Sequence, residues 1–226
     1  FLEYFYTHNT RKRALRDYLF AYLDKLVMLG IAIQPLGKMG LRLLNEIELL
    51  ETLIGLTHLR NLPSLADMPL TKRLIRDAKR DEPKTPPVEA VLLLIDPFTQ
   101  YFQPEIGMAA IQVLNKLRVE TRIIPIIGSG RTLISKGFLK AAHKHSGRVL
   151  AAIEKLDPDG EIPIIGIEPS EIYTLRDEYL DFYPKKKQVR SVADRSFLID
   201  EFLIRPGKGR EPRMMRIADH VVSPQS

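Results

Sequence analysis

A chain of 226 residues, 45% apolar and 27% charged, has material for one sizeable core or two small ones and the balance of an ordinary folded protein. It contains no cysteine, which excludes a disulfide framework, cysteine-ligated zinc and any cysteine-held iron–sulfur cluster within these residues. The formal net charge of +6 permits an anionic partner, but basic residues are spread along the chain with one run at Lys185-Lys186-Lys187, and without a nucleic-acid-binding motif no nucleic acid is expected as partner.

From Thr10 to Ile33 the spacing of Leu15, Tyr18, Leu19, Tyr22, Leu26 and Leu29 predicts an amphipathic helix, broken at Gly30 and Gln34-Pro35-Leu36-Gly37. A second helical pattern runs over Gly40 to Leu59, with Leu43, Leu44, Ile47, Leu50, Leu53 and Ile54 on one broad face, and Thr71 to Lys79 predicts a short third helix. Arg80 to Pro87 is polar and proline-rich, as a linker is. The expected division is therefore a helical region over 1–80, a linker over 81–87 and an α/β domain over 88–226. No stretch approaches 18 uninterrupted apolar residues, so no transmembrane helix is expected, and the opening residues carry no targeting pattern. The chain reads as a piece of a longer protein.

Beyond the linker the pattern alternates. Val88 to Ile95 is a nearly continuous apolar run, the signature of a strand buried on both faces. Pro104 to Leu117 predicts a helix, Val119 to Ile127 a strand, Leu133 to Leu156 one or two helices around Gly147, and Ile162 to Ile167 a third strand. Ser170 to Tyr179 opens another helix, with Ser170 available as its cap and Glu171 in its first turn, and Ser196 to Ile204 predicts the last one. This order implies an α/β fold: a parallel sheet with flanking helices, preceded by the N-terminal helical region. Function in such sheets gathers at the carboxyl ends of the strands. Asp96, the Gly128 to Arg131 turn and the Glu168 to Glu171 segment each follow an expected strand, so they are expected to meet.

The Gly128-Ser129-Gly130 turn either points backbone N–H groups at an anion or only turns the chain tightly. It is neither a Walker A loop nor GxGxxG, because Ile134 stands where the third glycine belongs. Arg131 is a candidate fork for a carboxylate or phosphate, or a structural partner of Asp96, Glu168 or Glu171, the second being preferred. Arg176 and Asp177 read as a scaffold pair. Glu171 with Asp96 or Glu168 supplies too few ligands for a structural metal. His143 and His145, two apart on a helix, form no i, i+4 metal pair, and His8, His58 and His220 are isolated. Ser129 lacks the GxSxG context of a nucleophile elbow, so no catalytic residue is expected. The candidate anion-binding or loop-pairing set is Asp96, Gly128, Ser129, Gly130, Arg131, Glu168, Ser170 and Glu171.

Three segments carry a family resemblance: IDPFTQYFQPEIG at Ile95 to Gly107, GSGRTLISKG at Gly128 to Gly137, and GIEPSEIYTLRDEY at Gly166 to Tyr179. Each follows an apolar run and precedes a helical one. Together they resemble one repeat of the cysteine-rich CCG domain of FAD-linked and iron–sulfur oxidoreductases, the glycolate oxidase iron–sulfur subunit and D-lactate dehydrogenase-like fusion proteins among them. Where that family commonly reads CCGR and PSC, this chain reads Gly128-Ser129-Gly130-Arg131 and Pro169-Ser170-Glu171. The resemblance covers about Pro87 to Leu203 and implies a parent that oxidises a 2-hydroxyacid of the lactate, glycolate or 2-hydroxyglutarate type. FAD and iron–sulfur clusters are then expected elsewhere in the parent and no cofactor in this fragment, which serves as a cluster-free scaffold or docking domain. Its implied partners are the remainder of the parent chain or redox partner subunits, in the cytoplasm.

A second reading rests on the N-terminal helices. Leu26, Val27, Met28, Leu29, Ile31, Ile33, Leu36 and Met39 give them apolar faces that either meet a membrane surface or quinone-containing partner or pack within the protein. Protein is the preferred partner of Thr10 to Leu59, since a peripheral helix would concentrate Lys and Arg on one face.

Overall fold

The computed structural model describes residues 13–32, 39, 63–78, 86–206 and 212–214. The Gly40 to Leu59 helix and most of the expected linker lie outside the described residues.

The run Glu89–Leu94 forms β1, and its neighbours follow from the alternation seen in the sequence: α4 (Pro97–Tyr101), α5 (Pro104–Lys116), β2 (Val119–Ile123), α6 (Arg131–Ser135), α7 (Leu139–Leu156), β3 (Ile164–Gly166), α8 (Pro169–Arg176), α9 (Glu178–Phe182), α10 (Lys187–Asp194), β4 (Ser196–Leu198) and α11 (Ile199–Ile204). Before them stand α1 (Leu15–Ala21), α2 (Leu23–Ala32) and α3 (Leu70–Ala78). The four strands make a parallel sheet in the order β2-β1-β3-β4.

Strand β1 is central, and its side chains divide the molecule. Leu92 and Leu94 point into one cluster with Ile124, Val149, Ile153, Ile164, Leu175 and Tyr179. Val91, Leu93 and Ile95 point into the other, with Leu114, Leu117, Ile165, Phe202 and Leu70. Period-two alternation within an all-apolar run is what a strand covered on both faces requires. Leu70 is fully buried in the second cluster, which joins α3 to the sheet.

Several boundaries differ from the sequence reading. The second strand ends at Ile123; Ile124 still donates to Leu93 O at 3.0 Å, and beyond it the chain next reaches this strand through Gly128 N–H, 2.8 Å from Ile95 O. Ser196 to Leu198 is not helical but an edge strand whose residues pair with Ile164 to Gly166, too short for alternation to show. Gly147 lies within α7 rather than breaking it, and a Cβ there would come 3.2 Å from the Tyr183 hydroxyl. The first expected helix is two, with Tyr22 at φ −110°, ψ 27° between them.

A late clasp closes the amino end of β1. Arg213 donates to both oxygens of Glu89 at 2.9 Å, also donates to Phe202 O, and lies over the Phe202 ring at 3.9 Å.

Leu70→Ala is expected to destabilise the protein by about 2–5 kcal/mol, the range for emptying a buried leucine site. Urea unfolding measures it, and a cost under about 0.5 kcal/mol would mean that α3 is not part of the sheet's core.

Candidate functional site at the carboxyl edge of the sheet

The order β2-β1-β3-β4 reverses direction beside β1, so the crevice beyond the carboxyl ends of β1 and β3 is where open sheets of this kind take ligands. Asp96 follows β1, the Gly128 to Arg131 turn follows β2, and Glu168 to Glu171 follow β3.

The turn wraps around a carboxyl group, and that group is a side chain of the same protein. Glu171, 5% exposed, accepts from the Ser129 backbone N–H at 2.5 Å and from the Ser129 hydroxyl. Gly128 and Gly130 hold φ of +66° and +92°, values that favour glycine. Space is tight as well: a Cβ on Gly128 would lie 3.3 Å from Pro97 Cδ, and one on Gly130 would lie 3.1 Å from the His145 ring. Each remaining contact fixes the turn further. Gly128 N–H donates to Ile95 O at 2.8 Å, His145 Nε2 donates to Gly128 O at 2.9 Å, and the buried Tyr179 hydroxyl donates to Ser129 O at 2.8 Å.

Burial pushes the Glu171 carboxyl above its ordinary range; the two Ser129 hydrogen bonds oppose this, while Asp96 and Glu168 add to it. Burial also holds the Tyr179 phenol well above its usual value, reinforced by Glu171, so it remains a donor.

The other candidates serve nearby. Asp96 caps α4, accepting from Thr99 N–H at 2.8 Å. Glu168, not Ser170, caps α8: its side chain accepts from the Ser170 hydroxyl at 3.1 Å and from the Ser170 N–H at 3.4 Å. Arg131 does not reach Asp96, Glu168 or Glu171; its ion-pair partner is Glu178 at 3.8 Å, with both side chains about a third exposed. Arg176 pairs with Glu201 and donates to Ser196 O, not with Asp177.

Sequence reasoning ruled His145 out of a metal pair without finding its partner, and it did not single out Tyr179 or Asp24. The i, i+4 test for metal pairs passes over a histidine that serves a backbone carbonyl. Asp24 belongs to α2, which with α1 covers this edge: Thr132 donates its hydroxyl to Ala21 O at 3.1 Å, and Asp24 lines the remaining space with Gly128, Gly130, His145 and Glu171. That space is about 10 Å³, one water molecule at most. No small substrate fits there.

Nor do the residues suit an iron–sulfur cluster. The cysteine position of the resembled motif is Glu171, whose carboxyl is committed to Ser129, and among the described residues no group of three or more His, Cys, Asp and Glu is placed to hold a metal ion.

Glu171→Ala is expected to cost about 1–3 kcal/mol, because it strands the buried Ser129 N–H, whereas Glu171→Gln retains an acceptor and much of the stability. The folded protein holds the Glu171 proton more tightly than the unfolded chain does. Its contribution is therefore present below the ordinary glutamate range and is lost as pH rises through the raised value. Denaturation across pH should show that decline in the parent and not in Glu171→Gln; identical curves would place the carboxyl in water. Arg131→Ala, at a pair about a third exposed, should change stability by no more than about 1 kcal/mol.

No family model and no solved structure matches the chain. It is similar to curated proteins named D-2-hydroxyglutarate dehydrogenase. The likeness to the Haemophilus influenzae protein is 24% identity over 99 residues, 44% of this chain and 10% of that protein. For Pantoea ananatis it is 26% over 96 residues, 42% of this chain and 9% of that protein, and for Escherichia coli 27% over 89 residues, 39% and 9%. The matched stretch is thus about a tenth of each relative's length, and the chain is related over some two fifths of its own length to 2-hydroxyacid oxidoreductases.

Proposed function

We propose that this chain is a structural, cluster-free domain of a longer FAD-linked 2-hydroxyacid oxidoreductase of the 2-hydroxyglutarate type. The observation that carries this reading is the Glu171 carboxyl seated in the Gly128-Ser129-Gly130 turn, where a related redox domain would place ligands and this chain has its own hydrogen bonds. The likeness to D-2-hydroxyglutarate dehydrogenases supports the choice of parent reaction. Substrate oxidation and the FAD that accepts the hydride equivalent belong to parts of the parent beyond this domain, as do the clusters that pass electrons on. The domain's partners are those parts, or the redox subunits docked to them.

Anaerobic incubation with ferrous iron and sulfide, followed by desalting and metal analysis, should leave the chain without stoichiometric iron or a visible chromophore. Within the parent enzyme, Ser129→Ala and Glu171→Ala should lower the melting temperature and yield but leave the turnover of the folded fraction unchanged. Stoichiometric cluster uptake, or turnover lost at unchanged stability, would overturn the reading.

A further inference from the structure

The positive charge that looks dispersed in the sequence is gathered by the fold. Residues 139–153 and 182–193 contain no Asp or Glu and hold seven cations: Lys140, Lys144, Arg148, Lys185, Lys186, Lys187 and Arg190. Removing those seven from 34 Lys and Arg leaves 27 against 28 Asp and Glu, so the rest of the chain is close to neutral.

All seven are exposed, and none forms an ion pair with a described residue. Lys140, Lys144 and Arg148 stand four apart on α7 and so form one stripe about 12 Å long. Tyr183 fastens the second cluster beside it: its hydroxyl donates to His143 O at 3.0 Å, its ring lies 4.6 Å from the His143 ring, and Lys186 Nζ lies 4.8 Å from the Tyr183 ring.

The stripe begins beside an exposed apolar edge. Phe138 immediately precedes α7, and the Tyr18 ring meets it edge-on at 5.1 Å. Tyr18 is 46% exposed, and Leu15, one turn away on α1, is 61% exposed.

We propose that this face binds an anionic phospholipid surface, the lysines attracting headgroups while Leu15 and Tyr18 enter the interface. Five of the seven cations are lysines, which act as mobile point charges rather than the planar forks that read a specific phosphate or base. A cluster of four to eight such charges beside apolar and aromatic side chains is the pattern of attraction to acidic lipid. The charged helix is α7 rather than the N-terminal helices themselves, which supply the apolar edge. The proposal does not depend on the parent enzyme's reaction, and vesicle binding is read separately from iron loading.

Sedimentation of the full chain with phosphatidylcholine vesicles, with and without 30% phosphatidylserine, tests it. Binding should require phosphatidylserine and fall at high salt. K144Q/K186Q should weaken it about 25-fold, from roughly fivefold per lysine. The charge-matched K72Q/K116Q, at exposed sites on α3 and α5, should change it by no more than about twofold. Leu15→Ala should weaken vesicle binding further, with the melting temperature of every variant confirming its fold. Equal effects in the two double variants, or no vesicle binding by the folded wild-type chain, would overturn the proposal. Retention on polyglutamate or duplex DNA in place of vesicles would assign the face to an acidic polymer instead.

Discussion

A carboxyl group taken out of water must be met by donors or keep its proton, and Glu171 imposes that requirement on the carboxyl edge of this sheet. Its donors are a backbone N–H and a hydroxyl of one residue, Ser129. To present both, the turn must adopt left-handed backbone on either side of Ser129, which glycine provides. The turn's carbonyls then need partners of their own, and His145 from α7 and Tyr179 from α9 supply them. One buried acid thus fixes how three elements meet.

The place where an open α/β sheet offers a crevice is consequently occupied by protein. Ligand sites at such points depend on unspent backbone N–H groups at helix starts. Here Ser129 N–H is committed to Glu171 and Gly128 N–H to Ile95, and α1 and α2 lie across the edge. The turn's donors are therefore spent inside the protein, where the Glu171 carboxyl keeps the loop folded by hydrogen bonds.

Much of the fold was legible because β1 is apolar on both faces and the connections after it are short. The α/β order, the parallel sheet and the meeting of the three loops all follow from that alternation. What the sequence concealed has physical reasons. Strand β4 is three residues long, below the length at which periodicity speaks. The turn is open to two readings in sequence, an anion site or only a tight bend, since nothing local joins Ser129 to a residue 42 positions later. Arg131 was assigned to acids at the strand ends, yet α6 carries it outward to Glu178. Charge was misjudged in the same way: cations four apart on a helix look scattered on the page and form a line in space.

The Arg213–Glu89 clasp spans 124 residues of sequence. Because synthesis runs from the amino end, Glu89 emerges long before its partner, and the guanidinium that neutralises the first residue of the central strand arrives after all four strands have been made. Until then, the amino end of β1 lacks the two hydrogen bonds that Arg213 gives Glu89. The backbone ladder can form as soon as β2 and β3 emerge, Glu89 with Val119 included, but the fork that ties Glu89 to Phe202 O comes last, so a ribosome-bound chain would hold a finished sheet before its clasp has closed.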